Sequence, residues 1–228
     1  MSFTIIFLII AIANIFAEYD FVSRLNLLVK PLICISLAIY FVRNAKMNAG
    51  FNRLILAALI LSFFGDCLLL FADEYASFFM FGLVAFLIAH VLYSLAFFRD
   101  FKNNPQAPKT YGHLMLFLMG VFSMSYYSMI RDYLGDLRIP VMAYVFVISI
   151  MVILAGYRYR RVNLLSFRLI YFGALFFVIS DSTLAYNKFV EPFACSGVVI
   201  MGTYMLAQYL ITIGSIERVV VTENKAIN

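Results

Sequence analysis

Eight apolar runs of 15 to 25 residues follow one another along a chain of 228 residues, separated by short charged or proline-bearing stretches. They fall at about 3–18, 28–42, 54–72, 75–98, 112–130, 138–157, 164–186 and 192–216. A helix that crosses a bilayer needs roughly 20 apolar residues. Eight such helices use up most of the chain, leaving short loops and no room for a soluble domain. With 64% hydrophobic and 13% charged residues and a mean hydropathy of +0.96, the chain reads as a multi-pass, all-α integral membrane protein. In a bacterial cell that means the inner membrane. Residues 1–228 form one domain. Three cysteines, Cys34, Cys67 and Cys195, all lie within apolar runs, where a thiol behaves as a small hydrophobe rather than half of a disulfide.

Basic residues orient the spans. Arg43, Lys46, Arg53, Arg99, Lys102, Lys109, Arg158, Arg160, Arg161 and Arg168 follow the second, fourth and sixth runs, and Arg218 and Lys225 end the chain. The opposite side holds Arg24, Lys30, Arg131, Arg138 and Lys188. Twelve against five places both termini in the cytoplasm, and it accounts for the net charge of +5 through topology and lipid headgroups, with no nucleic-acid partner. Pro31, Pro140 and Pro192 are expected in the first turns of spans that enter from outside, where a missing amide donor costs nothing. Asp73 and Glu74 are expected to open the fourth span, at the positive end of its dipole.

A shift of 115 residues aligns Arg53, Leu54, Ile55, Asp66, Leu69, Phe78 and Gly82 with Arg168, Leu169, Ile170, Asp181, Leu184, Phe193 and Gly197. This pattern suggests a duplication of four helices, with halves at about 1–110 and 111–220. Because four is even, the halves run parallel and both Asp residues face one central polar cavity.

Ionisable groups inside a span are costly and mark functional positions. Only Lys30, Asp66 and Asp181 fall within the hydrocarbon; the remaining charges lie in loops or at helix ends. Each Asp is 13 residues beyond its cytoplasmic Arg, about 20 Å into a core about 30 Å thick. Asn14, Lys30, Tyr126, Tyr127, Tyr144 and Tyr204 reach a similar depth. His90, Tyr93 and Gln208 lie nearer the cytoplasm and suit the binding of a polar group. Lys30 has two alternatives, pairing with an Asp or snorkelling outward beside Glu18 and Asp20.

Two histidines, His90 and His113, cannot supply a three-His zinc site, and there is neither a nucleophile elbow nor a phosphate loop. What remains is a pair of carboxyls in a low-dielectric cavity, one holding a proton and the other ionised, suited to acid–base attack on an acetal-like carbon. No metal or organic cofactor is called for. On the residues alone, a proton-coupled transporter of a lipid or small molecule, with the Asp pair as proton carriers, is the rival reading.

Lys30–Pro31, FFGDCLLL at 63–70, GLVAFLIAHVLY at 82–93, GALFFVISDSTLA at 173–185 and TYMLAQYLI at 203–211 together resemble the lysoplasmalogenase family of YhhN-like membrane proteins. That resemblance implies an eight-helix hydrolase, free of cofactors, that cleaves the vinyl ether bond of a lysoplasmalogen. The products are a fatty aldehyde and glycerophosphoethanolamine or glycerophosphocholine. It makes Asp66 and Asp181 the catalytic pair, and it gives Lys30, His90, Tyr93, Tyr204 and Gln208 the tasks of holding the glycerophosphate and ordering water; Asn14, Tyr126 and Tyr127, by their depth, are further candidates for substrate binding. The implied partners are a lysophospholipid, water and membrane lipid, with self-association left open.

Overall fold

A computed structural model describes residues 3–19, 23–47, 49–72 and 74–221. Asp20, Asp73 and the tail from Thr222, with Lys225, lie outside these residues, as do the side chains of Glu18 and Arg24. The described chain is helical: α1 (Phe3–Tyr19), α2 (Ser23–Asn44), α3 (Gly50–Leu69), α4 (Ala76–Asn103), α5 (Thr110–Ile130), α6 (Arg138–Tyr157), α7 (Leu164–Phe189) and α8 (Ser196–Ile216). Helices are what the bilayer demands, since only they satisfy every backbone amide within one segment.

Among the described residues six helices, α3 to α8, are long and apolar enough to cross a membrane. The α1 helix is apolar but has 17 residues. In α2, 22 residues include Arg24, Asn26, Lys30 and Arg43, which lower its hydropathy. Pro31 lies inside α2 rather than in its first turn, because the helix begins at Ser23 and extends past the charged residues that seemed to bound it. Pro192 likewise precedes α8, which starts at Ser196, and α4 starts after Glu74.

The helices pack in a ring, α1–α2–α3–α4–α6–α7–α8 and back to α1, with α5 outside against α6. The most extensive contacts are α7 with α8 and α3 with α4. Glycine permits this closeness in α7, where a Cβ on Gly173 would stand 2.8 Å from Ile211 and 3.1 Å from the Ala207 carbonyl. Aliphatic and aromatic side chains of all the ring helices except α1's outer face meet in one core that includes Ile33, Leu37, Ile55, Leu59, Tyr93, Phe97, Ile148, Met151, Phe177 and Ile211.

At the Arg-rich end the structure buries charges that the sequence places among solvated helix ends. Asp100, Arg158 and Arg161 are fully buried. Arg158 Nε donates to Asp100 Oδ2 at 2.8 Å and its Nη2 to Ser166 Oγ at 2.9 Å. Arg218 Nε donates to the other oxygen, Asp100 Oδ1, at 2.8 Å. Arg161 spends its donors on the connection after α4, at the carbonyls of Asn104 (2.8 Å), Ala107 (2.9 Å) and Pro108 (3.3 Å). A Val162–Val220 bridge then fastens the segment after α8 beside this cluster. The cluster therefore joins α4, α6, α7 and the chain beyond α8.

Removing one member of a buried pair leaves a stranded charge, which costs about 3–5 kcal/mol. Asp100→Ala is expected to lower the thermal unfolding midpoint in detergent by about 10 °C. Asp132→Ala, at the exposed Arg131–Asp132 pair, should leave that midpoint within about 1 °C. Equal shifts in the two variants would show that the cluster is not holding the helix ends together.

Candidate active site

Two carboxyls, each from the C-terminal half of its helix, reach the wall of one cavity. Asp66 comes from α3 and Asp181 from α7, and Lys30, Tyr126, Tyr144, Ser180, Ser182 and Tyr204 share the wall with them. The cavity measures about 90 Å³, several times the roughly 15 Å³ that one water needs. The rest of its lining is apolar, with Phe79, Phe86, Phe122 and Phe189 the largest contributors. Leu69 near the end of α3, Phe189 at the end of α7, Val141 early in α6 and Ile200 early in α8 all line it. These positions put it in the half of the bundle away from the Arg-rich end.

Asp66 is 2% exposed and well supplied with donors. Tyr204 of α8 donates its hydroxyl to Oδ2 at 2.7 Å, and the Cys34 thiol of α2 approaches the same oxygen at 3.4 Å. Lys30, one turn before Cys34 on α2, is close enough to interact with Asp66 electrostatically. Gly65 lets α4 close over this carboxyl, because a Cβ there would lie 2.6 Å from the Phe86 ring. Behind Tyr204 the polar chain continues. Gln208 donates from Nε2 to the Tyr204 oxygen at 3.3 Å, and Tyr93 of α4 donates to Gln208 Oε1 at 2.7 Å.

Asp181 has a different setting. Its side chain is 16% exposed. Tyr144 of α6 donates to Oδ2 at 2.6 Å, and His90 Nε2 stands 3.7 Å from that oxygen, beyond hydrogen-bond length. The His90 ring is edge-on to Tyr144 and Phe177, at centroid distances of 5.4 and 5.0 Å. Nearer the open side, Tyr126 of α5 donates to the Ser182 carbonyl, tying the outlying helix to α7.

Of the residues singled out by sequence, Lys30, Asp66, Tyr126, Asp181 and Tyr204 line the cavity. His90, Tyr93 and Gln208 are buried behind the wall and reach it only through Asp181 or Tyr204. Asn14, fully buried on α1, is not part of the wall. Tyr127 points to the connection after α5, where it donates to the Arg138 carbonyl at 3.1 Å. The rotation of a helix explains this last case: adjacent residues are about 100° apart, so Tyr126 and Tyr127 cannot both face one cavity. Tyr144, Cys34, Ser180 and Ser182 are polar groups of the site that are not among the candidates read from the sequence. Tyr144 was legible by its depth, level with Asp181, whereas nothing in the sequence distinguishes Cys34 from a packing thiol.

A profile of the YhhN family matches residues 25–215. Lysoplasmalogenase TMEM86B of Sus scrofa is 31% identical over 192 residues, covering 84% of this chain and 75% of that protein. Lysoplasmalogenase TMEM86A of Homo sapiens is 34% identical over 170 residues, 72% of this chain and 65% of that protein. No solved structure matches. Matched along most of its length and folded around this cavity, the chain is a membrane-embedded enzyme of the YhhN family.

Proposed function

We propose that the protein hydrolyses the vinyl ether bond of lysoplasmalogens, with Asp66 and Asp181 as its catalytic residues. The observation that carries this reading is that both intramembrane carboxyls meet at one narrow, apolar-walled cavity; the names of the relatives supply the substrate class. A single-chain lipid suits such walls, its hydrocarbon against the phenylalanines and its ether oxygen at the carboxyls.

The chemistry follows from the two protonation states. One carboxyl gives its proton to the vinyl carbon distal to the ether oxygen, and the positive charge that develops on the other vinyl carbon is shared with that oxygen. The ionised carboxyl stabilises this oxocarbenium ion and then accepts a proton from the water that adds to it. Breaking the carbon–oxygen bond of the resulting hemiacetal, with a proton passing to the glycerol oxygen, releases aldehyde and glycerophospho-alcohol. Lys30, the basic residue of the cavity wall, holds the phosphate side of the substrate, while Tyr126 and Tyr204 order the water.

The proposal also takes all eight helices as spans, arranged as two parallel halves with both termini cytoplasmic. Each half contributes one carboxyl. Cys195, exposed just before α8, then faces outside.

Asp66→Asn and Asp181→Asn should each lower aldehyde release from lysoplasmalogen by about 10²- to 10⁴-fold in purified, folded protein. Turnover within twofold of wild type in either variant would remove that residue from the chemistry. The assay runs in detergent, so a protein that needs a gradient, as a transporter does, yields no aldehyde there. Lys30→Met should raise KM about tenfold; an unchanged KM would take Lys30 off the phosphate. In right-side-out vesicles a membrane-impermeant maleimide should label Cys195, and protection of Cys195 until the membrane is opened would reverse the topology.

A further inference from the structure

The two carboxyls are not equivalent. Asp66 Oδ2 receives a hydroxyl and a thiol, from Tyr204 and Cys34, and Lys30 adds a cation on the same side. The Tyr204 hydroxyl is in turn fixed in direction. Its oxygen already accepts from Gln208 Nε2, and the Gln208 amide is oriented by Tyr93, which donates to its Oε1. The file Tyr93–Gln208–Tyr204 thus passes its hydrogen bonds toward Asp66, and the Tyr204 oxygen also lies 3.2 Å from Cys34 Sγ. Two donors on one oxygen and a nearby cation favour the carboxylate over the carboxylic acid at Asp66. An ionised carboxylate, which only accepts, fits the file as it stands.

Asp181 accepts from Tyr144 at 2.6 Å. His90 beside it is enclosed by aromatic edges, and its Nε2 is too distant to donate. Tyr126 and Lys30 share the cavity wall with Asp181, and Tyr126 gives its hydrogen to the Ser182 carbonyl. Asp181 is also the more open of the two toward the cavity. A carboxyl on a tyrosine hydroxyl in an apolar surround is the one that keeps its proton when its partner is held ionised by hydrogen bonds and charge.

We infer that Asp181 is the proton donor and Asp66 the ionised carboxylate, and that Tyr93, Gln208 and Tyr204 are positioning residues that hold Asp66 in that state. This assignment rests on the hydrolase reading and deepens it by giving each carboxyl its task. Asp181 delivers the proton to the vinyl carbon. Asp66 faces the resulting cation and accepts the proton of the attacking water. After one turnover the proton is on Asp66, so it must return to Asp181 through cavity water before the next; no net proton is consumed.

Infrared spectroscopy of the purified protein at neutral pH tests the assignment without any turnover. A protonated carboxyl gives a carbonyl band that shifts in heavy water. That band is expected to be present in wild type, absent in Asp181→Asn and retained in Asp66→Asn. Loss in Asp66→Asn, or the same result in both variants, overturns the assignment. Gln208→Leu should add a second such band, from Asp66, and lower kcat about tenfold with KM within twofold. If Gln208→Leu fails to fold, Tyr204→Phe, which keeps the ring, carries the same expectation. A lowered unfolding midpoint with an unchanged band would make the file structural only. Bands that behave as expected in a protein releasing no aldehyde would leave the proton assignment standing and defeat the hydrolase reading.

Discussion

A carboxyl group moved from water into hydrocarbon loses its hydration and must find replacement partners within the bundle. The consequences of that demand are visible at both ends of the molecule. At one end it draws Arg158 and Arg218 onto Asp100, and with them α4, α6 and the segment after α8. In the half away from the Arg-rich end it draws Tyr204 and Cys34 onto Asp66 and Tyr144 onto Asp181. The apolar core between them is sequence-tolerant, since lipid is as apolar as leucine and gives the helices little reason to choose one neighbour over another. Polar pairs and close glycine contacts supply the choice.

The same demand sets Asp100 apart from the two carboxyls on the cavity wall. Both oxygens of Asp100 are taken by guanidinium groups, so it has nothing left to offer a substrate. Asp66 and Asp181 each have one oxygen engaged by side-chain donors at Oδ2 and stand on a cavity wall. Their surroundings differ, with Tyr204, Cys34 and Lys30 near Asp66 and Tyr144 on Asp181, and under the proposed hydrolysis that difference would give them separate tasks.

What could be read from sequence follows the rarity of each signal. Asp66 and Asp181 stand out because a charge within a long apolar run is uncommon and has few explanations. Lys30 stands out for the same reason, although sequence left its direction open. Tyrosine is common in membrane proteins, so Tyr126 and Tyr127 read alike until helix rotation turns one to the cavity and the other to a loop. Asp100, Arg158 and Arg218 read as ordinary helix-end charges; their pairing spans 58 and 118 residues and depends on packing that no local pattern records. Pro31 and Pro192 seemed to mark helix starts because hydrophobicity was taken to end where polar residues begin. In fact α2 continues through polar residues and α8 waits for the turn at Cys195.

The separation of Asp100 from Arg218 also bears on how the protein is made. Helices of a membrane protein enter the bilayer in the order of synthesis, and α4 arrives with its acidic end unmatched. Arg158 reaches it only after α5 and α6 have been inserted, and Arg218 only after α8, 118 residues later. Until then Asp100 keeps its place at the water-facing end of α4, where a charge is tolerable. The Asp100 cluster is thus completed only once α8 has been made, so it closes after the helices it joins.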